Sequence, residues 1–238
     1  MADDRRARIL AQLYTEGDTH LQAERLGHVC AAVTGMTGAG LMLMSGEIPR
    51  GSVATTDAVS TMIEDLQFSL GEGPCVDAYH TDRPVLEPDL ASPAVDRWAA
   101  FAQPAVEAGA RSVFGFPLHV GAVRLGALNL YCDHPTSLSA EQHADALVMA
   151  DVAAQALLIM QSGAPAGALA VELDSGSNFQ HVVHQASGMV AAQLDVNVAQ
   201  ALIRLRGYAF GHGRPLKDVA ADVVARRLRF TDHADEAP

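Results

Sequence analysis

The chain has 238 residues, 49% of them apolar, with a formal net charge of −12 at pH 7. That content supports one mid-sized and one small core and excludes a disordered chain. No uninterrupted apolar run reaches the ~18–20 residues of a membrane helix and no signal pattern opens the chain, so a cytoplasmic protein that avoids membranes is expected.

From Asp3 to Val33 the pattern is helical, broken around Gly17. Asp18 or Thr19 caps the second piece, with Gln22 completing a capping box, and Leu21, Val29, Cys30 and Val33 are expected on its inward face. Gly40–Met44 and Gly51–Thr56 read as two strands of a hairpin around Ser45-Gly46. Val59 to Phe68 reads as a helix, Gly71–Pro74 as a tight turn, and Cys75 to Tyr79 as a second helix. Val85-Leu86 is a short strand, and Trp98 to Ala108 a helix with Trp98, Phe101, Ala105 and Ala108 on one side. Two adjacent strands follow, Val113–Leu118 and Val123–Tyr131, and Ser139 caps a long helix to about Met160.

This order implies an α+β fold, an antiparallel sheet flanked by helices. Over roughly 20 to 161 it resembles the GAF domain, a fold that senses small molecules or partners in signalling proteins. The resemblance implies a ligand site between one sheet face and the insertion from Phe68 to Ala108. Phe68, Pro74, Cys75, Val85, Trp98, Phe101 and Phe114 are expected to line it, with mostly apolar walls suited to a small organic ligand.

Other chemistry is sparse. Cys30, Cys75 and Cys132 are odd in number, widely spaced and without a CxxC, which argues against a disulfide framework or a closed zinc site. At a helix start Cys75 would have its thiol pKa lowered and become redox-reactive, although most such cysteines are packing residues. His80, His119, His134 and His143 have no ligand-pair spacing, so neither metal nor cofactor is expected. Glu72 and Asp77 have no nucleophile or base nearby in sequence, and the nucleophile-elbow and phosphate-loop motifs are absent. The cyclic-nucleotide signature of some GAF domains is missing too.

The segment from 162 to 176, rich in Gly and Ala, reads as a linker, and 231–238 as an acidic tail. Between them, 177–230 carries three helical patterns. Phe179, Val182, Val183, Ala186, Met189, Val190 and Leu194 form the first stripe. Asn197 caps a second helix with Ala201, Leu202, Leu205 and Ala209 inward, ending at Gly211 and Gly213. Pro215 opens a third, with Leu216, Val219, Ala220, Val223, Val224 and Leu228. The stretch has seven basic residues against three acidic, a balance of +4, whereas the remainder stands at −16. A positive helical bundle on an acidic chain suits nucleic acid, and a solvated helix face is the plainer explanation.

Gln185-Ala186-x-Gly188-Met189, Ala201-x-x-x-Leu205-Arg206-x-x-Ala209 and Leu216-x-x-Val219-Ala220 occur here in order. In them the stretch resembles the ANTAR domain, a three-helix RNA-binding module of bacterial antitermination regulators. Ser187 stands where many members carry Lys. Leu70-Gly71-Glu72-Gly73-Pro74-Cys75 resembles the corresponding segment of GAF-ANTAR regulators of actinobacteria. The resemblance implies a dimeric antiterminator, not an enzyme, that holds paired RNA hairpins of a nascent transcript under control of its sensor. Arg204, Arg206, Arg214 and Lys217 are the phosphate candidates, with Tyr208 or His212 stacking on an unpaired base. Homodimerisation is expected through Ile9, Leu10, Leu13 and Tyr14 and the apolar helix from Ala140 to Met160. Two alternatives stand: a ligand- or redox-sensing GAF protein whose helical tail binds a protein, and a GAF-fold methionine-sulfoxide reductase.

Overall fold

A computed structural model describes residues 2–13, 23–46, 48–92, 97–163 and 178–231. The chain divides into two compact units, Met1–Ala170 and Val171–Pro238. The proposed caps Asp18 and Thr19, with Leu21, Gln22, Tyr14, residues 164–177 and the tail from 232, lie outside the described residues.

In the first unit, α1 (Ala2–Leu13) and α2 (Ala23–Thr34) precede the hairpin β1 (Gly38–Ser45) and β2 (Ile48–Thr55). Then come α3 (Ala58–Leu70), α4 (Pro74–Thr81), β3 (Val85–Glu87) and α5 (Ala102–Ala108). The hairpin β4 (Ser112–Val120) and β5 (Val123–Cys132) leads into α6 (Ala140–Gly163). All pairings are antiparallel, in the order β2-β1-β5-β4-β3. The two hairpins thus meet through β1 and β5 in mid-sheet. Pro49 is tolerated in β2 because that strand is an edge, and the register shifts beside its partner Met44.

Pairing and alternation assign the faces of the sheet. Gly40, Asn129 and Gly115 form one row across β1, β5 and β4, under α3 and α4. Leu41, Leu128 and Phe116 belong to the opposite face, and the Phe116 ring lies 5.6 Å from that of His143 on α6. A core cluster of Ile63, Ala78, Val85, Trp98, Phe101, Val113 and Tyr131 fills the first side. On the second, α2 packs against α6 and α6 against β4.

Some details differ from the sequence reading. The buried positions of α2 are Leu26, Gly27, Cys30, Ala31 and Thr34, while Val29 and Val33 are only half-buried. Trp98 to Phe101 form turns ahead of a shorter α5, because Glu72 Oε1 accepts the backbone N–H groups of Ala100 and Phe101 at 2.8 and 2.9 Å and anchors that entry. By length and composition α6 passes as a membrane span, but half of that window is buried within the domain. Part of its surplus apolar surface is covered in the same chain by α1, whose Ile9 and Leu13 are buried. Asp145 takes Arg5 and Arg8, and Asp151 takes Arg6, so ion pairs hold α1 on α6.

In the second unit α7 (Asn178–Leu194), α8 (Val198–Gly211) and α9 (Leu216–Val224) pack mutually as a three-helix bundle. Its core is Val183, Ala186, Val190 and Leu194, Ala201, Leu202, Leu205 and Ala209, and Leu216, Val219, Ala220 and Val223. Asn197 and Gln200 form a reciprocal capping box on α8.

Candidate nucleic-acid interface and sensor site

In the helical bundle the expected phosphate ligands do not share one environment. Arg204 and Lys217 are exposed. Arg206 is half-buried, and desolvation lowers its pKa to about 10. Arg214 donates to Asp222 at 2.7 Å, and Arg227 holds the other oxygen of the same carboxylate at 2.8 Å, which keeps Asp222 below the usual carboxylate range. Arg204, Lys217, Arg226 and Arg229 are exposed cations with no ion pair among the described residues.

The expected stacking residues are engaged with each other. Tyr208 and His212 stack with ring centroids 3.9 Å apart, and Phe230 meets Tyr208 edge-on at 5.4 Å. His212 Nδ1 also lies 2.8 Å from the Tyr208 carbonyl oxygen. Phe210 instead is 76% exposed. Ser187 is buried and donates to the Val183 carbonyl at 2.8 Å, so no cation enters from that position.

In the sensor all the expected lining residues are buried, but they do not converge. Val85, Trp98 and Phe101 share the cluster beneath α3 and α5, and Trp98 Nε1 donates to Asp77 Oδ2 at 3.0 Å. Pro74 and Cys75 sit over β4, where a Cβ on Gly115 would strike the Pro74 backbone. Phe114 has the opposite parity to Gly115 and belongs to the α6 face, so it is removed from this group. The row of glycines lets the first turn of α4 approach the sheet directly.

That approach encloses a polar centre of Glu64, Gln67 and Asn129, each at most 1% exposed. Gln67 Oε1 accepts the Cys75 N–H at 2.7 Å. Among the described residues, both carboxyl oxygens of Glu64, Gln67 Nε2 and both amide atoms of Asn129 lack a directed hydrogen bond. Burial pushes Glu64 up to about 8; the nearby Asn129 amide opposes this and Asp65 adds to it. A Cβ on Gly40 would collide with the Glu64 side chain, so the glycine makes room for the acid. Sequence reading missed these residues, and the signal was a carboxylate within the inward stripe Ser60, Ile63, Glu64, Gln67 and Phe68.

The same enclosure acts on Cys75 against the lowering that a helix start would give and fits the packing role. Desolvation, then the charge of Glu64, raises its thiol pKa well above the ordinary value despite the opposing Gln67 bond. Cys30 and Cys132 are likewise buried and free. Among the described residues no cluster of His, Cys, Asp and Glu could hold a metal.

Comparison with known proteins follows these two units. The GAF domain family matches residues 22–158 and the ANTAR domain family residues 177–224. No curated protein matches the chain. Among solved structures, the GAF domain of a phosphoenolpyruvate-protein phosphotransferase from Coxiella burnetii is 13% identical with a TM-score of 0.50, covering 68% of this chain and 95% of that one. Its counterpart from Acinetobacter is 11% identical at 0.48, covering 68% and 96%. Free methionine-R-sulfoxide reductase from Neisseria meningitidis is 15% identical at 0.47, covering 68% and 89%. More than half of this chain lies within the first family match, so the chain belongs to the GAF domain family and carries an ANTAR domain after its GAF domain.

Proposed function

We propose that the protein is a cytoplasmic RNA-binding antitermination regulator of the actinobacterial type, in which the GAF domain controls the ANTAR output. The observation that carries this reading is the set of exposed cations Arg204, Lys217, Arg226 and Arg229, without an ion pair among the described residues, on a stretch of balance +4 beside a remainder at −16. Phosphate contacts supply most nucleic-acid affinity, and a folded hairpin is read by its loop and backbone because the deep A-form groove excludes side chains. Two hairpins of a nascent transcript, held by two copies of the module in a homodimer, would keep a terminator from folding. Small-molecule control acts through the buried face under α3, α4 and α5, where Pro74, Cys75, Val85, Trp98 and Phe101 remain the sensor candidates with Phe68.

A gel shift with hairpin RNA over a salt series tests the reading. Parent affinity should fall steeply with salt, and the double variant Arg204→Glu, Lys217→Glu should bind at least ~10-fold more weakly with a shallower salt slope. Binding that ignores both salt and charge reversal would refute the assignment. Of the four phosphate candidates Arg206 and Arg214 are left intact, since reversing a half-buried and an ion-paired arginine would perturb the bundle itself.

A further inference from the structure

We infer that Phe210, on the same outward helix face as Ile203, is the platform on which an unpaired RNA base stacks. This rests on the RNA-binding reading above and identifies where that module reads a loop.

The inward face of α8 is Ala201, Leu202, Leu205 and Ala209, so the opposite face carries Ile203, Gly207 and Phe210 at four- and three-residue spacing. Ile203 is 60% exposed and Phe210 76%, the most exposed large apolar side chain among the described residues. Gly207 and Gly211 have open space where a Cβ would stand, so among the described residues the helix beside the ring carries no covering side chain at those positions. Two large apolar side chains exposed on one face of the same helix are what a contact on that face would explain. Charge selects the occupant. Arg204 is exposed on the same outward side, one turn from Gly207, and Lys217, Arg226 and Arg229 are further exposed cations of 177–230 with no ion pair among the described residues. An apolar ring beside cations suits a nucleobase joined to its phosphate, because the base needs a π-face and the backbone needs charge. Tyr208 already has one face stacked by His212 and a T-shaped contact with Phe230, so its ring is less open than that of Phe210.

The test uses the full chain and RNA hairpins with randomised loops, enriched on the parent, then resynthesised with 2-aminopurine in the loop. Phe210→Ala should weaken binding ~5- to 100-fold, the range for loss of one stacked base, and abolish the fluorescence quench. Its salt slope should equal the parent's, since no phosphate contact is lost. Phe210→Trp should restore both affinity and quench, and unchanged circular dichroism of Phe210→Ala excludes a folding defect. If the parent enriches hairpins while Phe210→Ala binds and quenches equally, the platform is wrong and the RNA reading stands. If instead Phe210→Ala lowers the mass by light scattering with RNA affinity intact, the patch is a protein-docking face and the inference is overturned. A parent that enriches no hairpin overturns the RNA reading and this inference together.

Discussion

Glu64 shows how one residue ties stability to pH. Burial lifts its pKa from 4.5 to about 8 in the folded chain, so the folded state keeps a proton that the unfolded state releases. The contribution to stability is fully present below the unfolded value and is lost as pH rises through the folded one. Glu64→Gln removes the ionisation while keeping an amide opposite Asn129. It should stabilise the first unit by ~1–3 kcal/mol at about pH 8 and flatten the decline of stability from about pH 5 upward. Urea midpoints collected across that range provide the check, and a parent-like slope in the variant would show that Glu64 does not titrate on unfolding. Asp57 has the opposite sign. Although burial alone would raise its pKa, the Ser60 N–H, at 2.7 Å, and the Tyr131 hydroxyl, at 2.8 Å, help lower it, so its contribution fades as pH falls.

At the scale of elements, α1 is attached to its unit by side chains rather than by strand pairing. Ile9 and Leu13 enter the core, and Asp145, only 8% exposed, accepts from Arg5 and Arg8. Asp145→Ala leaves two cations without their acceptor beside apolar α6. Because Arg8 is largely exposed and can turn to water, we expect a cost of roughly 1–2 kcal/mol rather than that of a fully buried pair. Hydrogen exchange should speed in Ala2–Leu13 first, with β4 and β5 still protected. Simultaneous loss of protection in the sheet would mean that α1 is integral to the fold. The turn before α5 is fixed in a comparable way, by one Glu72 oxygen serving two backbone donors.

For the whole molecule, the balance of +4 in 177–230 against −16 in the remainder argues that nucleic acid meets the three-helix stretch rather than the acidic sensor domain. Dimerisation is the remaining demand of the proposed mechanism. Since α1 covers part of α6, the apolar surface left there includes Leu147 at 44% and Ile159 at 61% exposure, less than the sequence alone suggests. Light scattering at micromolar concentration should nevertheless give about twice the 25.0 kDa of the chain. A mass of one chain, with and without RNA, would remove the dimer and the paired-hairpin arrangement with it.

The order of elements was legible in the sequence because each is locally encoded. A short apolar run bounded by Gly40 and the turn at Ser45-Gly46 marks β1, glycine and proline punctuate α3 and α4, and Asn197 with Gln200 announces the start of α8. The positive balance of 177–230 was legible for the same reason, being a sum over residues. Facing was not. From Ser112 to Leu118 every residue of β4 is buried, so no alternation distinguishes Gly115 from Phe114, and only the covering helices assign their sides. Tyr208 reads as a free aromatic until Phe230 returns to it from beyond α9. Glu64 becomes a buried acid only because β5 brings Asn129 beneath α3 and Gly40 leaves the space between them. In each case the partner lies far along the chain, and burial depends on what covers a residue as well as on its neighbours in sequence.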